Sequence, residues 1–140
     1  MFRVKIDSKS TGKRLENLTR RVSRLEVPFR KFGSYWINET EKQFDSQTDP
    51  SGKPWAALKP ATLEQKRRLG YPDDILTRTG ALRKSLGFSA KGKSLEVYSD
   101  SEYGQFHQYG TFKMPKREIV GMNDKRQQML IKIIKSYVMK

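Results

Sequence analysis

Cysteine is absent from this chain of 140 residues, histidine occurs once, and no apolar run approaches the roughly 20 residues a membrane-spanning helix needs. Without cysteine there can be no disulfide, no thiolate metal site and no catalytic thiol. With His107 alone there can be no two-histidine metal site. No glycine-rich phosphate loop is present either: Gly80, Gly87 and Gly92 fit neither the GxGxxG nor the GKS/T pattern. The opening residues MFRVKIDSKS lack the apolar core of a signal peptide, which predicts a soluble chain that stays in the compartment where it is made. Apolar residues are scarce as well. Leu, Ile, Val and Phe together number 31, close to the ~20% below which chains tend to disorder, and the mean hydropathy is -0.81. A small core, helped into order by neighbouring subunits, is the expectation.

Catalytic groups are equally thin. Asp49, Asp73, Asp74, Asp100 and Glu102 are the conspicuous carboxylates outside the periodic segments, and nothing in their spacing fixes an acid–base pair. Asp73-Asp74 follows Pro72 and reads as a turn or helix cap rather than a metal ligand. His107 has Tyr103 and Tyr109 nearby but no acid or nucleophile at a defined spacing. The chain is therefore expected to bind and pack, with no enzymatic activity, no cofactor and no metal.

What the sequence does have is positive charge: 29 Lys and Arg against 15 Asp and Glu, a net +14. An excess of this size points to an acidic partner surface or to nucleic acid. Its distribution weakens the second option. Residues 1–70 carry +8 and residues 71–140 carry +6, with no basic tail, and pairs such as Lys13-Arg14, Arg20-Arg21, Arg67-Arg68 and Lys125-Arg126 are scattered. Solvated faces of amphipathic helices account for most of this pattern. A basic DNA-binding protein remains the alternative.

Periodicity supplies the elements. Phe2-Arg3-Val4-Lys5-Ile6-Asp7 alternates with period two and predicts a half-buried strand. Leu15, Leu18, Val22 and Leu25, preceded by Ser8, Ser10 and Thr11 as possible caps, predict a first helix. Pro28 suits the first turn of a second helix, which Phe29, Phe32, Trp36, Thr40 and Phe44 continue to about residue 46. Asp49-Pro50-Ser51-Gly52 has the chemistry of a tight turn. Thr62 with Gln65 resembles a capping box for a helix that Gly70-Tyr71-Pro72 ends. Thr77 or Thr79 is expected to cap a short helix carrying Leu82 and Leu86. Phe88 to Lys91 and Ser94 to Ser99 predict a hairpin about Gly92, with Leu95, Val97 and Ser99 facing inward. Tyr103 to Tyr109 predicts a short helix closed by Gly110, and Lys116 to Met122 another strand. Asn123 or Asp124 should cap a last helix in which Met129/Leu130, Ile133/Ile134 and Tyr137/Val138 recur every four residues, opposite Lys132 and Lys135. The fold class is α+β, one domain over residues 1–140: long N-terminal helices and a C-terminal helix on a small, mostly antiparallel sheet.

Four segments carry a resemblance. DPSGKPWAALKPATLEQK is similar to a "dP-x-G-x-x-W-x-x-L-x-x-x-T" signature through Asp49, Pro50, Gly52, Trp55, Leu58, Thr62 and Lys66. ILTRTGALRKSL follows an "L-x-x-TG-x-L-x-x-S" element through Leu76, Thr79, Gly80, Leu82 and Ser85. YGQFHQYG matches "YA-x-x-HQ-x-G" through Tyr103, His107, Gln108 and Gly110, and PKREIVGMND matches "P-x-R-x-(F/I)-(L/V)-G" through Pro115, Arg117 and Gly121. In this order the motifs resemble the phage virion morphogenesis family, which takes in Mu-like G proteins and P2-like tail completion proteins. Glu118-Ile119 stands where the family often has Pro-Phe, and Gly104 replaces a usual Ala.

The resemblance implies a structural virion protein at the head-to-tail junction, as a neck, tail-completion or tail-terminator subunit. The implied partners are copies of itself in a ring, six being the expected number, a head-closure or adaptor protein, and the tail tube or sheath. Non-specific contact with passing DNA is possible on this view, and no membrane is involved. The implied location is the neck or tail of the virion, with assembly in the host cytoplasm. Two residue roles stay open. Trp55 either anchors a rigid loop, set by Pro54 and Pro60, against a neighbouring subunit, or caps this subunit's own core. His107 is expected to hydrogen-bond backbone at a strand-to-loop transition, with an interface role as the alternative.

Overall fold

A computed structural model describes residues 2–7 and 24–139. Within them a three-stranded antiparallel sheet carries β1 (Phe2–Asp7), β2 (Leu86–Lys91) and β3 (Ser94–Ser99) in the order β1-β3-β2. The helices are α1 (Glu26–Ser46), α2 (Pro60–Arg68), α3 (Ala81–Lys84), α4 (Gly104–Tyr109) and α5 (Asp124–Val138). The fold is α+β. The helix expected from Leu15, Leu18 and Val22 lies outside the described residues. Leu25, the last of that series, is fully buried at the start of α1.

Alternation explains the two faces of the sheet. Leu95, Val97 and Ser99 on the central strand face the core, as do Phe2 and Ile6 opposite Ser99 and Leu95. The intervening positions form a polar outer face, where Arg3 pairs with Glu96 at 2.9 Å and stacks over Tyr98. Against the inner face lies α1, whose Phe29, Phe32, Trp36, Thr40 and Phe44 are all buried at helical spacing. Gly33 lets α1 approach β2 closely, since a Cβ there would overlap the Phe88 ring. Leu130 and Ile134 of α5 complete the core from the other side of α1.

Three expectations need correction. Thr62 and Gln65 do not form a capping box; α2 begins at Pro60, the proline itself occupying the first turn, and the cap residue Lys59 makes no side-chain bond. Proline preset the start, so no cap was required. Leu86 does not belong to the short helix: α3 stops at Lys84, and Leu86 opens β2 because it pairs with Ser99. Gly80, at φ +84, caps α3, while the Thr79 hydroxyl accepts only a long 3.4 Å bond from Ala81 N–H.

Lys116 to Met122 is not a strand. Side chains, not a neighbouring strand, satisfy its backbone. Gln108 accepts from the Ile119 and Val120 N–H groups, both at 2.9 Å, and donates to the Val120 carbonyl at 2.7 Å. Gln43 donates to the Ile119 carbonyl, Trp55 Nε1 to that of Glu118, and Arg126 to that of Gly121. Arg126 is itself buried and bonds Gln43 Oε1, so α1 and α5 hold this strap jointly.

Asn123 caps α5, its Oδ1 accepting from Arg126 N–H at 2.8 Å, and its Nδ2 donates to the Pro50 carbonyl at 2.7 Å. Asn123→Ala removes both bonds. The expected loss is about 0.5–2 kcal/mol for the cap, read as a lower midpoint in thermal or urea unfolding. An unchanged midpoint would show that the contact to Pro50 carries no weight in the native state.

Candidate binding cleft

The start of DPSGKPWAALKPATLEQK is a scaffold built around one carboxylate. Asp49 Oδ1 accepts from Ser51 N–H, Ser51 Oγ and Lys53 N–H within 2.9 Å, and Gly52 at φ +87 donates to the Asp49 carbonyl. Partial burial opposes the charged form of Asp49, yet the bonds from Ser51 and Lys53 outweigh it and lower its pKa. The turn delivers Trp55 inward. Only 5% of Trp55 is exposed; its ring meets Phe44 edge-on at 5.3 Å, and Nε1 donates to the Glu118 carbonyl at 2.8 Å. Of the two roles open for Trp55, the intrachain core is the one the structure displays.

Beyond Trp55 the chain forms one wall of a cleft of about 640 Å³. Leu58 and Thr62 line it from this segment, and Thr79 and Leu82 from the second. Tyr103 and His107 come from the third, Pro115 and Arg117 from the fourth. Segments spread over seventy residues of sequence thus converge on a single depression. The remaining motif residues build the frame beneath or beside it. Pro50 packs where a Cβ on Gly121 would meet its ring at 2.8 Å, Gln108 holds the strap, and Gly110 at φ +74 sits where a Cβ would lie 2.9 Å from Lys116 N.

Two cations are consumed in the construction. Arg117, 8% exposed, donates to the carbonyls of Ala56 and Ala57 at 2.8 and 3.2 Å, and burial lowers its pKa. Lys66 is similarly enclosed, donating to the carbonyls of Asp74 and Thr77 at 2.6 and 2.9 Å; burial lowers its pKa against the pull of Asp74 and Asp73. It pins the loop in which Leu76 takes φ +59, a conformation unfavourable for leucine, at the cleft wall. Sequence reasoning missed Gln43 and Arg126 as structural partners. Both sit at polar positions of amphipathic helices, and no short-range pattern marks a polar residue that turns inward.

His107 corrects another expectation. It lies on α4 rather than at the end of a strand, and its Nδ1 is buried with no hydrogen-bond partner among the described residues. Its backbone carbonyl, not its ring, makes the bond to the strap, accepting from Arg117 N–H at 2.7 Å. Burial, and after it the Arg117 guanidinium, lower the imidazole pKa below the ordinary value. In the unfolded chain the ring takes up its proton as pH falls below about 6.5. The folded protein resists that uptake, so this group's contribution to stability is present above that pH and declines as pH falls through it. His107→Gln should flatten the fall in melting temperature between neutral and mildly acidic pH. Equal slopes for the variant and the parent would refute a buried, neutral His107.

Among the described residues no carboxylate lines the cleft, whereas Lys59, Lys66, Arg78, Lys113 and Arg117 do. Among them it therefore holds no carboxylate–imidazole or carboxylate–carboxylate pair of the kind used in general acid–base chemistry. Among the described residues no group of three or more His, Asp or Glu side chains is placed to hold a metal ion, and no helix is long and apolar enough to cross a membrane. Tyr103, which lines the cleft, is exposed, as are Phe106, Tyr109 and Phe112 in the same stretch of chain, Phe112 fully so.

The model of the phage virion morphogenesis family matches residues 6–139. The chain is 28% identical over 120 residues, 84% of its own length and 82% of the relative's, to the Mu-like prophage FluMu G protein 1 of Haemophilus influenzae. No solved structure matches it. With the family match spanning almost the whole sequence, the chain belongs to the phage virion morphogenesis family and serves in virion morphogenesis.

Proposed function

We propose that the protein is a structural subunit of the head–tail junction of a tailed phage, a neck, tail-completion or tail-terminator protein, that works as a ring and joins or closes the tail. It has no catalytic role. Its partners are further copies of itself, a head-closure or adaptor protein, and the tail tube or sheath. The observation that carries the reading is the combination of family membership with exposed apolar surface: a basic cleft lined by Tyr103, and the further exposed aromatics Phe106, Tyr109 and Phe112. Large exposed aromatics rimmed by charge are the usual mark of a protein interface.

The DNA-binding alternative loses ground on the fate of the arginines. Arg117 and Arg126 are buried and bonded to backbone, Arg67 is paired with Asp73, and Arg83 with Asp45. Arg117 and Arg126 are thus held inside the subunit, and Arg67 and Arg83 are engaged by carboxylates at its surface. Rings in negative stain of the purified protein, and accumulation of unjoined heads and tails when its gene is disabled, are the expected results. A stable monomer at high concentration, present as a single copy per particle, would overturn the ring. An affinity for duplex DNA falling with salt at about -0.9 per neutralised phosphate, with normal particle assembly in its absence, would favour the alternative.

A further inference from the structure

We infer that the cleft is a docking slot for a segment of another assembly protein that alternates apolar and acidic side chains. The floor is apolar, with Leu58, Leu76, Leu82 and Met114 facing the same space. Among the described residues every charged side chain that lines it is basic. Lys59, Arg78 and Lys113 are exposed at its edge and make no ion pair among the described residues, Arg78 lying over the Tyr71 ring. Three unneutralised cations beside an apolar trough form the complement of a chain that presents carboxylates beside apolar anchors.

The deeper polar groups fit the same ligand. Arg117 uses Nε and Nη2 on the wall, and Nη1 makes no hydrogen bond among the described residues. The buried Nδ1 of His107 also lacks a partner among them. Both residues line the cleft, where a carboxylate would be drawn toward the Arg117 guanidinium.

A second copy of this chain fits less well. Its one fully exposed aromatic, Phe112, is followed by Lys113 and stands close to Lys116, so inserting it would bring cations against cations in a chain whose net charge is +14. The inference rests on the proposed assembly role for its biological setting, not for its chemistry.

The test uses the full chain and a short fluorescein-labelled peptide alternating leucine and glutamate, followed by anisotropy and by methyl NMR shifts at Leu58, Leu82 and Met114. Peptides alternating leucine with serine, or glutamate with serine, are the comparison. The leucine–glutamate peptide should bind at least about tenfold more tightly than either. Arg78→Glu and Lys113→Glu should each weaken it about tenfold, while Lys31→Glu and Lys91→Glu, exposed and outside the cleft, should change it less than about twofold.

Equal binding of the glutamate–serine peptide, or equal losses from all four variants, would reduce the effect to net charge and overturn the slot. If the two cleft variants abolish self-association but leave peptide affinity intact, the occupant is a second copy and the inference is wrong. Full phage titre with either cleft variant would also overturn it, with the assembly role untouched. Absence of the protein from the particle would instead sink the assembly role, and the peptide comparison would still decide the slot.

Discussion

Ile134→Asp should leave the protein unfolded or barely folded at neutral pH. Ile134 is fully buried in the middle of α5, against α1. Losing its burial removes about 1.5–3 kcal/mol, and an ionised carboxylate in its place has no water. Several kcal/mol more follow, up to the scale of a small domain's whole stability of about 5–15 kcal/mol. The carboxyl would respond by raising its pKa, so the variant should regain structure as pH falls, opposite to the parent's trend. Ile133, only half-buried, should tolerate the same change better. Lys132→Ala and Lys135→Ala, on the exposed side, should stay within about 0.5 kcal/mol of the parent. Urea unfolding of the four variants checks all of this. Destabilised lysine variants beside a tolerated Ile134→Asp would mean that α5 presents a different face to α1.

Trp55→Ala is the second large effect. A fully packed tryptophan truncated to alanine costs about 3–5 kcal/mol. The Glu118 carbonyl also loses the Nε1 donor, for about 1 kcal/mol or more. Because the ring joins the turn, α1 and the strap, cooperative unfolding and particle yield should fall together. Trp55→Phe keeps an edge contact to Phe44 and gives up the Nε1 bond, and is expected to recover most of the stability. A Trp55→Ala subunit that melts like the parent yet fails to assemble would restore the intersubunit role for this residue.

The contrast between these two residues shows what could be read from sequence. Ile134 sits in a stripe repeating every four residues, and such periodicity reports burial directly, as it did for Phe29 to Phe44 of α1 and for Leu95 to Ser99 of β3. Trp55 lies in a loop, where nothing periodic says which surface a side chain meets, so both roles stayed open until its contacts were seen. The Lys116–Met122 segment misled for a related reason. Its run of apolar residues is genuine, and Ile119 and Val120 are buried, but burial alone does not require a strand when glutamines from two helices supply the hydrogen bonds. The candidate cleft was legible only as motifs. Their convergence depends on Arg117 and Lys66 reaching backbone carbonyls about 60 and roughly 10 residues away, which no local pattern encodes.

The strap held by side chains also predicts where this protein tolerates change. In a β-ladder, backbone meets backbone, and neighbouring residues can be exchanged while the pairing persists. Here the arrangement is reversed: the anchoring hydrogen bonds come from the side chains of Gln43, Trp55, Gln108 and Arg126, and to them the strap contributes only peptide groups, while its Ile119 and Val120 side chains pack in the core. At position 118 the backbone is engaged through its carbonyl, so a proline, which has no N–H, would forfeit no backbone bond there and only the 3.8 Å ion pair of Glu118 with Lys116. At 119 and 120 the N–H groups are bound to Gln108, and proline should be forbidden. A saturation library should therefore show position 118 exchangeable, 119 and 120 open only to apolar residues that fit the core, Gly121 fixed by the Pro50 ring, and four nearly immutable residues gripping the strap from outside it.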